Sequence, residues 1–303
     1  MKYSRIVCHF TLGALFVLIT AGCLIVEEEG GSNAEVVTGN FVYNVHEVDE
    51  EFILPNKLEE ISGLAYLTDH TFLCVQDEKG VLYFYNTDEK EIVHKIKFGK
   101  SGDYEGVTVI DSTAYVIRSN GKLYEIEISE DSIPEINNYE LPFKSSNDLE
   151  GLSAGHLPNT LYIACKDNPK ILDNGIKGRA IYEYNISTKK VDPKPYINFT
   201  KDMFFEKLYQ HDLKPSKHTP IMPSGLAIHP ITQDVFLISS VGKLLIVLDK
   251  KGNIKDMATL KRKLLIQPEG ICFDTEGNLY ISSEGRGGKG YILMYEPKNT
   301  DQE

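Results

Sequence analysis

Tryptophan is absent from the 303 residues, and the five cysteines are too few for the dense disulfide framework of a small secreted scaffold. A basic surplus is absent as well, because 32 Lys and Arg stand against 44 Asp and Glu, a formal net charge of −12. Nucleic-acid-binding proteins need a net basic face to displace counterions from phosphates, so this charge argues against one. The sequence also has no Cys and His spacing typical of a zinc site.

One long apolar run is present, over residues 10–21, directly after a short basic segment. A basic start, roughly a dozen apolar residues and small residues at a cleavage point are typical of a secretory signal peptide. The segment 19–23 (ITAGC) is similar to a bacterial lipobox, in which Cys23 would carry the lipid and become the mature N-terminus. We therefore expect residues 1–22 to be a lipoprotein signal peptide. The alternative is an uncleaved N-terminal membrane helix.

Residues 23–39 contain the segment EEEGGSN and are expected to form an acidic linker behind the lipid. A flexible, negatively charged tether keeps the folded body away from anionic headgroups. We expect a monomer in the bacterial cell envelope, held by the lipid on Cys23, with the outer membrane or cell surface favoured. Its partner would be an unknown small-molecule or protein ligand, and not a nucleic acid.

The rest of the chain repeats one pattern, a Ser or Glu followed by Gly and then alternating apolar residues. The repeated glycines are Gly63, Gly106, Gly151, Gly225 and Gly270. Three of their spacings are 43, 45 and 45 residues, the length of a four-stranded propeller blade, and the remaining spacing of 74 holds an insertion. The sequence therefore predicts an all-β fold, a five-bladed β-propeller over residues 40–299.

The fifth repeat offers only three strands, so its fourth strand must come from elsewhere. Residues 41–45 (FVYNV) form a strand-like run before the first repeat, and pairing them with the last strand would close the ring. Residues 199–221 show one apolar face at helical spacing, and we interpret them as a helical insertion that caps one mouth of the ring. A sixth blade would require strands in that same segment.

These repeats resemble the SdiA-regulated family of envelope β-propellers. The most specific pieces are PSGLAIHP at 223–230 and QPEGICFDTEGNLYISSE at 267–284, and KDNP at 166–169 also fits. The resemblance implies a five-bladed propeller with a bound calcium ion, and it implies no particular activity. Two places depart from the family pattern: SSVG at 239–242 replaces an expected acidic pair, and GRGGKG at 285–290 forms an enlarged loop.

The first strand of each propeller blade lines the central channel, so the residue before each repeated glycine should lie on the axis. These residues are Ser62, Glu105, Glu150, Ser224 and Glu269. Carboxylates about 7 Å apart at an effective dielectric constant near 20 repel by about 2.4 kcal/mol per pair. Such a set needs protonation, cationic side chains or a metal, and calcium is the hard cation that prefers carboxylate and hydroxyl oxygens.

We predict that these five residues hold calcium. The alternative is that Arg118 and Lys166, which end the second strands of blades two and three, neutralise the glutamates without a metal. Further residues at strand ends are predicted to lie at the channel mouth and to contact a ligand: Asp77, Arg118, Lys166, Asp167, Glu284 and Arg286.

Three function classes remain open. The favoured one is a calcium-binding envelope propeller that recognises a ligand or partner without catalysis, so no catalytic residue is assigned. The second is a calcium-dependent hydrolase, phosphoesterase-like (phytase-like) or lactonase-like, with His229 or His156 as the base beside the metal. The third is an interaction module without a metal. The GLSAG segment at 151–155 matches a nucleophile elbow, but it falls inside a strand, whereas that motif needs a strand–turn–helix context.

Overall fold

The computed structural model describes residues 41–129, 133–210 and 221–298, which form five antiparallel sheets arranged as the blades of a β-propeller. Blade one consists of β2 (Ile61–Thr68), β3 (Thr71–Gln76), β4 (Lys79–Asn86) and β5 (Glu91–Ser101). Blade two consists of β6 (Tyr104–Ile110), β7 (Thr113–Arg118), β8 (Lys122–Glu127) and β9 (Ile136–Glu140). The predicted five-bladed, all-β fold is thereby confirmed.

Blade three has a divided outer edge, because two short strands pair with the same third strand. It consists of β10 (Leu149–Ala154), β11 (Thr160–Cys165), β12 (Arg179–Asn185), β13 (Lys190–Val191) and β14 (Ile197–Phe199). Blade four consists of β15 (Pro223–Ile228), β16 (Val235–Ser239), β17 (Leu244–Leu248) and β18 (Ile254–Thr259). Blade five consists of β19 (Gln267–Phe273), β20 (Leu279–Glu284), β21 (Tyr291–Tyr295) and β1 (Glu50–Ile53). Short 3₁₀ helices cover Asn56–Leu58 and Ser145–Asn147.

The ring closes through an N-terminal strand, as expected, but the strand is β1 and not residues 41–45. β1 pairs antiparallel with β21, and Glu50 lies opposite Met294. Residues 41–45 contribute one isolated bridge, from Tyr43 to Pro297, and their apolar side chains enter the core between blades four and five. Their alternating pattern thus reflects burial against neighbouring blades and not strand pairing, whereas β1 buries one of its four residues, as suits an edge strand.

The core is a ring of five apolar clusters, one between each pair of neighbouring blades. Middle strands bury both faces in this arrangement, so β11 and β17 are buried at every position and have continuous apolar sequences. The described cysteines are free and buried, and they fill this core. They are Cys74, Cys165 and Cys272.

The insertion between blades three and four contains the helix α1 (Lys201–Gln210). Phe204 is buried in the cluster between those two blades, and the strand that α1 chiefly contacts is β18, the outermost strand of blade four. The helix therefore packs at the outer part of a blade and does not take the position over the channel that the sequence suggested. Among the described residues, no helix has the length and apolar character needed to span a bilayer.

Several sequence predictions fall outside the described residues. They are the signal peptide at 1–22, the linker at 23–39, the lipidated Cys23 and residues 211–220 of the insertion.

Candidate functional site

A β-bulge opens the inner strand of every blade. The pairing of inner and second strands shifts between Ile61 and Gly63, Tyr104 and Gly106, Leu149 and Gly151, Pro223 and Gly225, and Pro268 and Ile271. A bulged residue has no partner across the ladder, so its side chain departs from the regular alternation. The residues inside these bulges are the predicted axial ones: Ser62, Glu105, Glu150, Ser224 and Glu269.

All five axial residues line one cavity of about 10 Å³. A volume of that order accommodates a single water-sized sphere. The structure therefore brings the predicted set together at one end of the channel, around a space for one small species.

The glycine after each axial residue lets neighbouring blades approach the axis closely. A Cβ atom on Gly225 would lie 2.2 Å from the carbonyl oxygen of Glu269, and one on Gly63 would lie 2.9 Å from the backbone nitrogen of Val107. Any side chain there would collide with backbone of the next blade. The repeated Ser-Gly or Glu-Gly pair thus combines an axial side chain with the space that its neighbour needs.

Glu150 is the most buried axial carboxylate, with 6% of the residue exposed. The Lys166 ammonium donates to its carboxylate and lies 3.6 Å from Asp148 Oδ2. Burial raises the pKa of Glu150 to about 7 even though Lys166 opposes the shift. Burial alone would lower the pKa of Lys166, but Glu150 and Asp148 together raise it above its ordinary value, so the ammonium stays charged.

The other two axial carboxyl groups have no cation paired with them among the described residues. Burial, with the Glu150 and Asp103 carboxylates, raises the pKa of Glu105 to about 10. Burial, with Glu150 and Glu284, raises the pKa of Glu269 well above its ordinary value. Without an added cation, Glu105 therefore holds its proton at neutral pH, and Glu269 keeps its proton to a higher pH than an ordinary glutamate.

A second set of mostly polar residues lies two positions before the axial residues in the sequence. The sequence prediction did not identify these residues as a set. The set comprises Glu60, Asp103, Asp148 and Gln267, with Met222 at the equivalent position of blade four. Asp103 accepts a hydrogen bond from the Ser119 hydroxyl and interacts with Glu105. The same repeat that located the axial glutamates contains this position, so the signal was present in the sequence.

Asp77 and Glu284, predicted at the channel mouth, come from blades one and five, and the Asp77 carboxylate acts on Glu284. Burial raises the pKa of both, and the Asp77 carboxylate adds to the shift of Glu284, whose pKa rises to about 7. Asp77 Oδ1 is buried without a hydrogen-bond partner among the described residues. We call this end of the channel the acidic mouth, formed by the three axial glutamates with Asp77, Asp103, Asp148 and Glu284.

The other residues predicted at the channel mouth differ in the contacts that their side chains make. Arg118 lies over the Tyr104 ring, 5.4 Å from its centroid, and makes no ion pair within the described structure, so of the two predicted neutralising cations only Lys166 pairs with a glutamate. Arg286 Nε donates to Gln267 Oε1 at 2.7 Å, which places it at the edge of the mouth. Asp167 is exposed, and its described hydrogen bonds are made by its backbone and not by its carboxylate.

The donors at the acidic mouth are all oxygens, the chemistry that hard cations such as calcium prefer. Within the ranges that the structure describes, however, no three or more Asp, Glu, His or Cys side chains are assembled as a metal-holding group. The residues present fit calcium by their chemistry and by the unpartnered Asp77 oxygen. Binding would require Lys166 to leave Glu150 and the protonated carboxyls to release their protons.

The two histidines considered as bases lie at the other end of the inner strands. His229 follows β15, and its Nδ1 accepts the backbone N–H groups of Ile231 and Thr232, each at 3.1 Å. Burial lowers the pKa of His229, so the neutral ring holds this turn. His156 follows β10, and its Nε2 lies 2.8 Å from the carbonyl oxygen of Gln233. Neither histidine is placed to act at the acidic mouth.

Beyond the axial cavity, the same channel widens into an apolar chamber of about 200 Å³. Its walls include the residue after each repeated glycine: Leu64, Val107, Leu152, Leu226 and Ile271. The channel thus passes from titratable and hydroxyl side chains at the axial cavity to mostly apolar side chains in the chamber.

Comparison with known proteins supports the fold. The chain is similar to the glutaminyl cyclase of Myxococcus xanthus, with a TM-score of 0.54 and 11% identity over 84% of this chain and 97% of that one. It is also similar to the PQQ-bound aldose sugar dehydrogenase of Streptomyces coelicolor, with a TM-score of 0.52 and 14% identity over 83% and 98% of the two chains. At these identities the likeness shows the architecture alone.

No curated protein matches the chain in sequence. The family model for SdiA-regulated proteins, in contrast, matches residues 43–286, which contain all five inner strands and the whole acidic mouth. The chain belongs to the SdiA-regulated family.

Proposed function

We propose that this protein binds calcium at the acidic mouth and there recognises a small-molecule or protein ligand without catalysing a reaction. The observation that carries the proposal is the placement of Glu105, Glu150 and Glu269, from three blades, around one ion-sized cavity. Mutual repulsion and burial keep these groups from ionising together, and a divalent cation would remove both obstacles.

The charge balance at the mouth supports an external cation. Lys166 is the cation that pairs with an axial carboxylate in the described structure, and it forms ion pairs with both Glu150 and Asp148. Asp77 and Glu284 add two more half-buried carboxyl groups close by. One ammonium cannot neutralise so many acids, so calcium binding would compete with protons and with Lys166 for them.

The position of the two histidines supports a role without catalysis at the acidic mouth. A calcium-dependent phosphoesterase or lactonase would need a base beside the metal. His229 and His156 lie at the opposite ends of their strands and make hydrogen bonds there with backbone groups. Recognition is therefore the better-supported role, in which a ligand oxygen completes the coordination of the metal.

The proposal includes attachment to the bacterial envelope through lipid on Cys23. It rests on the ITAGC segment, and the acidic linker after it suits a tether at an anionic surface. Mass spectrometry of the wild-type protein should detect a mature N-terminus at Cys23 that carries the lipid, and Cys23→Ser should remove both the lipid and the cleavage. A wild-type protein that keeps residues 1–22 and carries no lipid would favour an uncleaved helix.

Calcium binding is tested by melting residues 34–303 in EDTA and then with calcium in excess. At about 100 times the dissociation constant, a bound ion should add about 2.7 kcal/mol to the free energy of unfolding. Glu105→Gln should remove most of this gain, while Glu127→Gln, an exposed change in the same blade, should keep it. No shift, together with no metal in the purified protein, would contradict the proposal and favour partner capture without a metal.

A further inference from the structure

A groove of about 640 Å³ crosses the propeller between blades five and one, on the face opposite the acidic mouth. Its floor and walls come from the turns that follow β2 and β19, the ends of those strands farthest from the bulges. The outer end of the groove reaches β1, through Glu50 and Phe52. A volume of this size suits a small ligand or one side chain of a larger one.

Three aromatic rings form one wall of the groove. The Tyr66 and Phe72 rings lie edge to face with centroids 5.9 Å apart, and Phe72 and Tyr280 lie 4.8 Å apart across the blade junction. The Tyr66 hydroxyl donates to Asp69 Oδ1 at 2.5 Å, and the Tyr280 hydroxyl donates to Asp274 Oδ2 at 3.2 Å. These hydrogen bonds hold two of the rings in place, so the wall is formed before any ligand arrives.

The residues that line the groove carry an excess of negative charge. The carboxylates are Glu50, Asp69, Asp88, Asp274 and Glu276, against the single lysine Lys90. His70 lies 3.1 Å from Asp88, so that acid has a partner. The carboxylates of Glu50 and Glu276 make no hydrogen bond or ion pair within the described structure.

Asp274 has a different role from the other acids. Its oxygens accept the backbone N–H groups of Glu276 and Asn278 and the side chains of Asn278 and Tyr280. It therefore fixes the turn and supplies negative charge, while Asp69 and Glu276 keep free oxygens for a ligand.

We propose that this groove binds an organic cation, a protonated amine or guanidinium group carried on an apolar stem. The stem would pack on the aromatic wall, and the cation would lie between the ring faces and the free carboxylates. An anion would be repelled by the surplus acids. A neutral polyol could form hydrogen bonds in the groove but would leave the surplus of negative charge uncompensated. The groove is separate from the acidic mouth, and binding of an organic cation there does not depend on calcium at the mouth.

The test is calorimetric titration of the protein with spermidine, agmatine and acetyl-arginine amide, with calcium in excess so that amines do not compete for the acidic mouth. We expect saturable binding at one site that weakens as salt is added. Asp69→Asn combined with Glu276→Gln should lower the affinity about tenfold, a difference of about 1.4 kcal/mol. Because both side chains are exposed, the melting temperature should stay unchanged.

The matched control is Glu127→Gln, an exposed acid on the same face in blade two, which should leave amine binding intact. Equal losses in the control and the double variant would overturn the site in favour of diffuse surface charge. Binding of maltose without binding of any amine would overturn the ligand class. Tighter binding of acetyl-arginine amide than of spermidine would identify a protein side chain as the source of the cation, and the reverse would identify a free polyamine.

Discussion

The two ends of the channel are built from the same five strands, but the acidic mouth is lined by carboxyl and hydroxyl side chains and the chamber mostly by apolar ones. At the acidic mouth, each strand starts with a bulge whose residue lines the axial cavity. A few positions later the register is regular, and the same strands line the channel with Leu152, Leu226 and their equivalents. A bulge in each inner strand is thus enough to place polar groups on an axis that would otherwise continue the apolar core.

The two ends should also contribute differently to stability. The apolar chamber is stabilised by burial, which is insensitive to pH and to calcium. The acidic mouth places carboxyl groups where their charged forms are unfavourable, so its contribution depends on protons, on Lys166 and on any bound cation. Variants at the acidic mouth should therefore respond to pH and to calcium, and variants in the apolar chamber should not.

The largest effect is expected for Lys166→Met without calcium. The change leaves Glu150 and Asp148 without their cation, and removing one partner of a buried ion pair costs about 3–5 kcal/mol. Lys122→Met, which breaks an ion pair with the exposed Glu140, should cost about 0–1 kcal/mol in the same denaturant titration. Calcium should rescue Lys166→Met more than wild type, because Glu150 is then free to bind the ion. A loss as small as that of Lys122→Met would mean that Glu150 is already neutral.

The next effect is the pH dependence of the calcium-free protein. Raised pKa values mean that the folded state holds protons which the unfolded chain releases above about 4.5, the ordinary value for these glutamates. The free energy of unfolding should therefore fall as pH rises through about 7, for Glu150 and Glu284, toward about 10, for Glu105. Between about pH 5 and about pH 9, the shift of the Glu150 pKa from about 4.5 to about 7 corresponds by itself to a loss of about 3 kcal/mol in denaturant titrations.

Glu105→Gln should flatten this dependence, because the amide does not titrate, and Glu127→Gln should leave it as in wild type. Stability that rises with pH in wild type would show that the glutamates ionise freely in the folded state, contrary to their described surroundings.

The smallest effect is expected in the apolar chamber. Ile271→Val removes one methylene from a buried inner-strand residue and should cost about 0.5–1.5 kcal/mol. The loss should be the same with EDTA, with calcium and across the pH range, as measured by thermal and denaturant unfolding. A calcium-dependent loss would show that the two ends are coupled along the strands.

The blade number and the axial residues could be predicted because both follow from one period in the sequence. The repeated glycine marks the place where blades meet, and the residue before it falls in the bulge in all five blades. Asp103 shares that period two residues earlier, so its position at the mouth was accessible to the same reasoning.

Other features depend on tertiary contacts that the local sequence does not encode. β1 forms because β21 presents an open edge, while the more strand-like Tyr43 and its neighbours are buried between blades. Arg118 and Lys166 occupy similar strand ends, but the Tyr104 ring holds the arginine and Glu150 holds the lysine. The direction of a long side chain is decided by such neighbours.

The closure by β1 has a consequence for how the molecule is made. Glu50 pairs with Met294 in β21, the last strand of the ring to be synthesised, so the ring cannot close before β21 is made. Until then β1 is an unpaired strand and β2 lacks its neighbour β19, so the axial cavity is incomplete. Such long-range pairing makes folding slow and places the assembly of the ion-sized cavity last. A nascent chain that stops short of β21 therefore carries all three axial glutamates but no finished ring to hold them together.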